Sequence, residues 1–181
     1  EIGRISGFVF DGIFNTGAYA SWGPTVANRV PIHASGPYVT KDYRANSVAV
    51  HTNAPPAGAF RGFGVPQSAV AQECAFDLLA EKLGMDRLAF RRLNALKNGV
   101  PTVTGQVFNS GVGIDDCFAA LEDSWHTAVA SAASFNQTAI SDDSPWRRGV
   151  GIASCWYGCG NTSLPNPSTM RFGITADGRI V

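Results

Sequence analysis

The clearest pattern of apolar and polar positions in the chain predicts a helix over residues 66–83. Val70, Cys74 and Leu78 recur at four-residue steps and therefore lie on one stripe of that helix. Pro66 suits a first helical turn, where its missing N–H costs nothing. The pattern predicts a buried thiol at Cys74 and leaves three acidic residues at more exposed positions: Glu73, Asp77 and Glu81.

Two further helices are predicted downstream. Asp86 is a good N-cap for a helix over residues 87–96, and Gly99 follows the end of that helix. Residues 114–135 predict a third helix, in which four apolar residues are in register: Ile114, Phe118, Leu121 and Trp125. The polar residues 100–113 predict a loop between these helices.

Strand patterns flank the helices. β-branched and aromatic residues predict strands at four places: residues 4–14, 43–52, 149–157 and 169–175. Residues 25–34 fit either a short helix or an extended segment, because Pro31 weakens the helical pattern. Residues 141–145 predict an exposed linker, and residues 176–179 predict a hairpin turn. Together the patterns predict an α+β fold with mixed sheets and segregated helices.

Composition and charge exclude several classes of protein. The 181 residues include 14 basic and 14 acidic side chains without a basic run, which argues against a nucleic-acid surface or a polybasic membrane anchor. No stretch approaches the ~18–20 consecutive apolar residues of a bilayer span. The four cysteines form no CxxC pair, so we assign them no metal or cluster and expect a reduced, cytoplasmic compartment. The spacing of Cys155 and Cys159 permits a disulfide without requiring one.

One glycine-rich segment, residues 57–67, has a pattern typical of a ligand site. Its glycines predict a turn that exposes consecutive backbone N–H groups beside a helix N-terminus, which favours an electron-rich oxygen or a phosphate. Phe60 and Phe63 add flat apolar surface, and Arg61 adds a charged donor. On spacing alone, a tight strand–helix turn with two core phenylalanines is an equally good interpretation.

The same segment carries a family resemblance. The run Ala59-Phe60-Arg61-Gly62-Phe63-Gly64-x-Pro66-Gln67 resembles the molybdenum-site motif of the xanthine dehydrogenase/aldehyde oxidase family. The likeness continues in order along nearly the whole chain, through Thr52-Asn53-x-Pro55, Glu73-Cys74, Gly84-Met85-Asp86, Phe90-Arg91-Arg92-Leu93-Asn94, Thr104-Gly105-Gln106-Val107 and Arg148-Gly149-Val150-Gly151. Val65 is a departure, since the family often has Gly or Ser at that position.

The resemblance implies roles for individual residues. It places the backbone of four residues beside the ligands of the metal: Ala59, Phe60, Arg61 and Gly62. Phe63 corresponds to the position whose ring contacts an aromatic substrate. Arg29 lies at the family's spacing for an arginine that stabilises negative charge building on the substrate, with an ordinary surface cation as the alternative. The family's glutamate base lies C-terminal to this sequence, so no Glu here is assigned that role, and no residue is assigned as a metal ligand.

The implied activity is that of a molybdenum hydroxylase, which inserts a water-derived oxygen at an electron-poor carbon. The expected substrate is an N-heteroaromatic compound (purine- or nicotinate-like) or an aldehyde. The implied cofactor is molybdenum–pterin, as molybdopterin or its cytosine dinucleotide. FAD and [2Fe-2S] clusters would reside in partner domains or subunits.

The resemblance also implies that the chain is part of a catalytic subunit and needs the remaining segments of that subunit. Residues 1–99 would be the C-terminal part of a first molybdenum-cofactor-binding domain, residues 100–145 a helical connection, and residues 146–181 the start of a second such domain. Two other hypotheses stay open. One is a scaffold or assembly subunit of the same fold that binds no molybdenum, and the other is a phosphate-binding module at the helix start near Pro66.

Overall fold

The computed structural model describes residues 2–158 and 168–180. Its elements, in chain order, are β1 (Gly7–Gly17), α1 (Gly23–His33), β2 (Asp42–His51), α2 (Val65–Lys82), α3 (Arg87–Asn94) and α4 (Ile114–Ser141). A small parallel sheet followed by grouped helices confirms the predicted α+β class. None of the helices in this part of the chain is both long enough and apolar enough to cross a bilayer.

Strands β1 and β2 pair in parallel, and α1 is the crossover between them. The register runs from Gly7 opposite Asp42 to Asn15 opposite Val50, and Thr16 is bulged out just before β1 ends. The segment at 25–34, which fitted two interpretations, is therefore helical, with Pro31 in the last turn of α1. Because the strands are parallel, both carboxyl ends lie at one edge of the sheet, and the loops that follow them start there.

Phe76 of α2 lies at the centre of the core. Its ring makes edge-to-face contacts with Phe8, Tyr38 and Phe90 at centroid distances of 5.9, 5.2 and 5.7 Å. Phe118 and Trp125 of α4 are also buried, as predicted, whereas Leu121, predicted in the same register, is exposed. Helix α1 packs directly on both strands, and α2 reaches the sheet through the contact of Phe76 with Phe8.

The buried face of α2 differs from the predicted stripe. Val70, Cys74 and Leu78 are exposed, and Glu73 is buried. The buried positions of this helix are Val65, Ser68, Gln72, Glu73, Phe76 and Ala80. The predictions of a buried Cys74 and an exposed Glu73 are therefore wrong, because apolar spacing cannot reveal a carboxylate that is buried with a charged partner.

The C-terminal part of the chain also differs from the pattern. Residues 149–157 and 169–175 were predicted as strands, yet within the described residues they form no ladder. The first of these segments instead runs along the helices, with Val150 and Ile152 packed on the core cluster. The second makes only an isolated bridge from Ile174 to Ile180, which closes the predicted turn at 176–179.

Helix α4 continues to Ser141, past the predicted end at residue 135. The predicted linker is therefore shorter and starts at residue 142. Cys155 is an exposed free thiol, and Cys159 lies outside the described residues.

Candidate functional site

The segment singled out in the sequence forms a tight bend, residues 60–64, directly before α2. The Phe63 amide donates to the Phe60 carbonyl at 2.8 Å, and the Val65 amide donates to the Gly62 carbonyl at 2.9 Å. Gly62, Phe63 and Gly64 have φ values of +92°, +47° and +90°. Three successive residues with left-handed backbone turn the chain sharply. Glycine adopts this backbone without steric strain, whereas Phe63 adopts it at a cost in conformational energy.

The bend is pressed against α1. A Cβ atom at Gly64 would lie 2.7 Å from Cγ2 of Val30 and 3.2 Å from Cγ1 of Val26, so any larger residue would force these side chains to move. The Phe63 ring is half-buried and meets Trp22, at the start of α1, edge-to-face with centroids 6.5 Å apart. The bend and α1 therefore share one surface.

The outer side of the bend is open. Phe60 is 83% exposed, so the interpretation of two core phenylalanines is wrong for this residue. Arg61 is exposed as well. Within residues 2–158 and 168–180, four consecutive amides donate no hydrogen bond to the chain: those of Ala59, Phe60, Arg61 and Gly62. Adjacent N–H groups of this kind can bind an anionic ligand through the backbone.

Hydrogen bonds to the end of β1 fix the loop that leads to the bend. The Ala57 amide donates to the Thr16 carbonyl at 3.1 Å, and the Thr52 amide donates to the Gly17 carbonyl at 3.1 Å. Ala18 donates in return to the Ala54 carbonyl at 3.0 Å. The Pro-rich loop is thus fastened at the carboxyl edge of the sheet, which places the bend beside α1.

Arg29 lies on α1, one residue before Val30, against which the bend packs. Its guanidinium carbon is 5.4 Å from the centroid of the Tyr157 ring. Val26 and Arg29 are three residues apart, so they occupy the same side of the helix. Arg29 therefore lies on the helix that packs against the bend, and its role toward a substrate stays a prediction.

His33, at the end of α1, is a residue that the sequence analysis did not single out. It is 2% exposed, and its ring stacks on Tyr157 at 5.2 Å with an interplanar angle of 19°. Burial lowers the pKa of His33, and the charge of Arg29 acts in the same direction. Apolar spacing gave no signal for this contact, since its partner comes from a distant segment.

A buried ionic network was also missed. Arg91 is fully buried, and its Nε and Nη2 atoms lie 2.7 and 2.6 Å from Oε2 of Glu73. The other carboxylate oxygen of Glu73 accepts from Tyr38 at 2.8 Å and from Ser154 at 3.2 Å. Burial and the charge of Glu73 raise the pKa of Tyr38, so its hydroxyl stays a donor. This network ties residues 150–158 to α2 and α3.

In the part of the chain that the structure describes, no three or more His, Cys, Asp or Glu side chains are grouped so that they could hold a metal ion. The donors that the bend offers are backbone amides.

Comparisons with known proteins identify the family. Residues 1–95 match the family described as a molybdopterin cofactor-binding domain. The nicotinate dehydrogenase large molybdopterin subunit of Eubacterium barkeri is 46% identical over 112 residues, 62% of this chain and 26% of that protein. The aldehyde oxidoreductase of Megalodesulfovibrio gigas is 34% identical over 173 residues, 94% of this chain and 18% of that protein.

A solved structure agrees with these matches. The aldehyde oxidoreductase from Desulfovibrio desulfuricans ATCC 27774 superposes with a TM-score of 0.69 at 28% identity, over 73% of this chain and 14% of that chain. The chain spans 26% and 18% of the two curated relatives named above, so it corresponds to one section of them. The chain belongs to the molybdopterin cofactor-binding domain family, within the xanthine dehydrogenase and aldehyde oxidase group.

Proposed function

We propose that this chain forms one side of the active site of a molybdenum hydroxylase that acts on an N-heteroaromatic substrate, purine- or nicotinate-like. The single observation that carries the proposal is the 60–64 bend, with its free amides, pressed onto the helix that bears Arg29. Membership of the family supplies the cofactor class. The 46% identical relative is named for a heteroaromatic substrate, nicotinate.

The residues present fit a molybdenum–pterin cofactor. When bound, that cofactor would accept the two electrons released as a substrate C–H bond is converted to C–OH, with the oxygen coming from water and two protons being released. The amides of Ala59, Phe60, Arg61 and Gly62 have no partner in the described chain, so they can donate to its anionic atoms. Their fixed geometry, set by the Gly62 and Gly64 backbone, means that no loop has to be ordered on binding.

Two side chains would act on the substrate. The half-buried ring of Phe63 would contact the flat face or edge of a heteroaromatic ring. Arg29 would place its positive charge where negative charge builds on the ring or carbonyl as oxygen adds. The packing of the bend on α1, the helix that bears Arg29, supports this pairing of roles.

The wider assembly belongs to the same proposal. The pterin would be molybdopterin or its cytosine dinucleotide, and FAD and [2Fe-2S] clusters would lie in partner domains or subunits of a cytoplasmic enzyme. Residues 1–99, 100–145 and 146–181 would be the end of one cofactor-binding domain, a connection and the start of a second. The remaining segments of the subunit would supply the general base.

The test replaces Arg29 in the intact protein. Arg29→Met should lower kcat on a heteroaromatic substrate by ~30- to 1000-fold, which corresponds to ~2–4 kcal/mol of lost charge stabilisation. Arg44→Met is a matched control, because Arg44 is exposed on β2. The control should keep the parent kcat. Unchanged kinetics in Arg29→Met would remove this residue from the mechanism.

Metal and pterin content tests the cofactor assignment independently of activity. The purified protein should hold molybdenum and an organic pterin in stoichiometric amounts. An intact fold that holds neither would contradict the proposal and favour a scaffold subunit. A bound phosphate without pterin would favour the phosphate-binding module instead.

A further inference from the structure

Residues 156–158 are hydrogen-bonded to His33 in the last turn of α1. The indole Nε1 of Trp156 donates to the His33 carbonyl at 3.4 Å. The Gly158 amide donates to Nε2 of His33 at 3.2 Å. One buried residue of the helix therefore holds this segment through both its backbone and its ring.

The hydrogen bonds assign the tautomer of His33. Because Nε2 accepts from the Gly158 amide, it carries the lone pair, and the proton of the neutral ring is on Nδ1. Nδ1 lies 3.3 Å from the Arg29 carbonyl, to which it can donate. A second proton on the ring would point an N–H at the Gly158 N–H, so the contact requires neutral His33.

The Tyr157 ring contacts two side chains of α1, those of His33 and Arg29. Its ring stacks on His33 at 5.2 Å, and the Arg29 guanidinium carbon lies 5.4 Å from the ring centroid. Arg29 and His33 are four residues apart on α1, so they are neighbours on one face of that helix. A cation at this distance from an aromatic centroid is attracted by the ring quadrupole.

We propose that Tyr157, oriented by His33, is a positioning residue that holds the Arg29 guanidinium in its working place. The inference rests on the function proposed above, in which Arg29 faces the substrate. A long arginine side chain has many rotamers, and fixing the guanidinium in advance means that less freedom is lost during the reaction. Tyr157 restricts Arg29 without touching the substrate itself.

The first measurement is chemical labelling of arginines in the intact protein with phenylglyoxal, followed by peptide mass spectrometry. Tyr157→Leu should increase the labelling rate of Arg29, because the covering ring is gone, whereas Tyr157→Phe should keep the parent rate. Exposed Arg61 and fully buried Arg91 are internal references whose rates should not change. An unchanged Arg29 rate in Tyr157→Leu would overturn the proposal.

The second measurement is a kinetic cycle. Tyr157→Leu should lower kcat by about 2- to 30-fold, the range that follows from the strength of a cation–π contact, and leave KM close to the parent value. Tyr157→Phe should restore the rate. The double variant Tyr157→Leu/Arg29→Met should be no slower than Arg29→Met alone, because Tyr157 acts through Arg29.

The outcomes separate the two proposals. A double variant slower by the full product of the single effects would overturn the positioning role, since Tyr157 would then act independently of Arg29. Faster labelling of Arg29 in Tyr157→Leu, together with normal kcat in Arg29→Met, would support the hold of Tyr157 on Arg29 and contradict the proposed function.

Discussion

Arg91→Met should loosen the packing of α2 and α3 more than any exposed arginine substitution does. Arg91 is fully buried, and its guanidinium contacts Glu73 at 2.6 Å and Asp77 at 2.8 Å. Burial alone would lower the pKa of Arg91, but the charge of Glu73 outweighs it and raises that pKa. Methionine has a similar length, so the change removes mainly the charge and its hydrogen bonds.

The loss of stability in Arg91→Met depends on the hydrogen-bond donors that Glu73 keeps. Breaking a buried ion pair by removing one partner costs ~3–5 kcal/mol, because the other charge stays buried. Glu73 keeps neutral donors in Tyr38, Gln72 and Ser154. These donors stabilise the remaining carboxylate, so we expect the lower end of that range, about 3 kcal/mol.

Native-state hydrogen exchange in the intact protein measures this cost locally. Amides of α2 and α3 should exchange about a hundredfold faster in Arg91→Met, the factor that corresponds to about 3 kcal/mol. Arg92→Met is the matched control, because Arg92 pairs with Asp115 and Glu122 at the surface, where water replaces such bonds. The control should exchange close to the parent rate.

The double variant Arg91→Met/Glu73→Gln provides the counter-test. Because it leaves no buried charge, it should recover much of the lost protection. Equal effects of Arg91→Met and Arg92→Met would refute the reasoning, as would a double variant that loses the sum of both single changes.

Three other predictions concern the bend, the α1 contact and a helix cap. Gly64→Ala should destabilise the bend by ~1–3 kcal/mol, because Gly64 has a positive φ and a Val30 methyl lies close to it. The control Gly149→Ala, at a position in open space, should leave the thermal midpoint unchanged. Burial lowers the pKa of His33, and the charge of Arg29 acts in the same direction, so the ring is neutral and accepts from the Gly158 amide. As pH falls below about 6.5, residues 150–158 should lose exchange protection, and His33→Asn should abolish this acid response. Burial alone would raise the pKa of Asp86, but the hydrogen bonds from the Trp125 indole and the Ala89 amide outweigh burial and lower that pKa. The stability that ionised Asp86 adds above about pH 4 is therefore lost in acid. Asp86→Asn should flatten this loss when melting is measured as a function of pH.

Local chemistry accounts for the parts of the fold that were predicted from neighbouring residues. Asp86 caps α3 as expected, with its carboxylate accepting from the Ala89 amide at 2.9 Å. The glycines around Phe63 predicted a bend with exposed amides before α2, and the backbone there has that form. These features depend on residues a few positions apart, so their chemistry is present in a short stretch of sequence.

Long-range contacts decided the rest. Glu73 is buried because Arg91 of another helix neutralises it, and this pairing selects the face of α2 that apolar spacing missed. Residues 149–157 have strand composition, but within the described chain they pack on helices through side chains and find no strand partner. A β pattern needs a neighbouring strand to become a ladder.

The sequence by itself determined strands β1 and β2, helices α2 to α4 and, through its motifs, the family and the residues expected at the site. Only the tertiary structure decided how these residues are arranged, since Arg29, Tyr157 and the 60–64 bend come from separate segments. Parallel pairing of β1 and β2 brings the loops after both strands to one edge, and α1 then meets the bend there. That meeting depends on contacts between residues far apart in the chain, which no local pattern encodes.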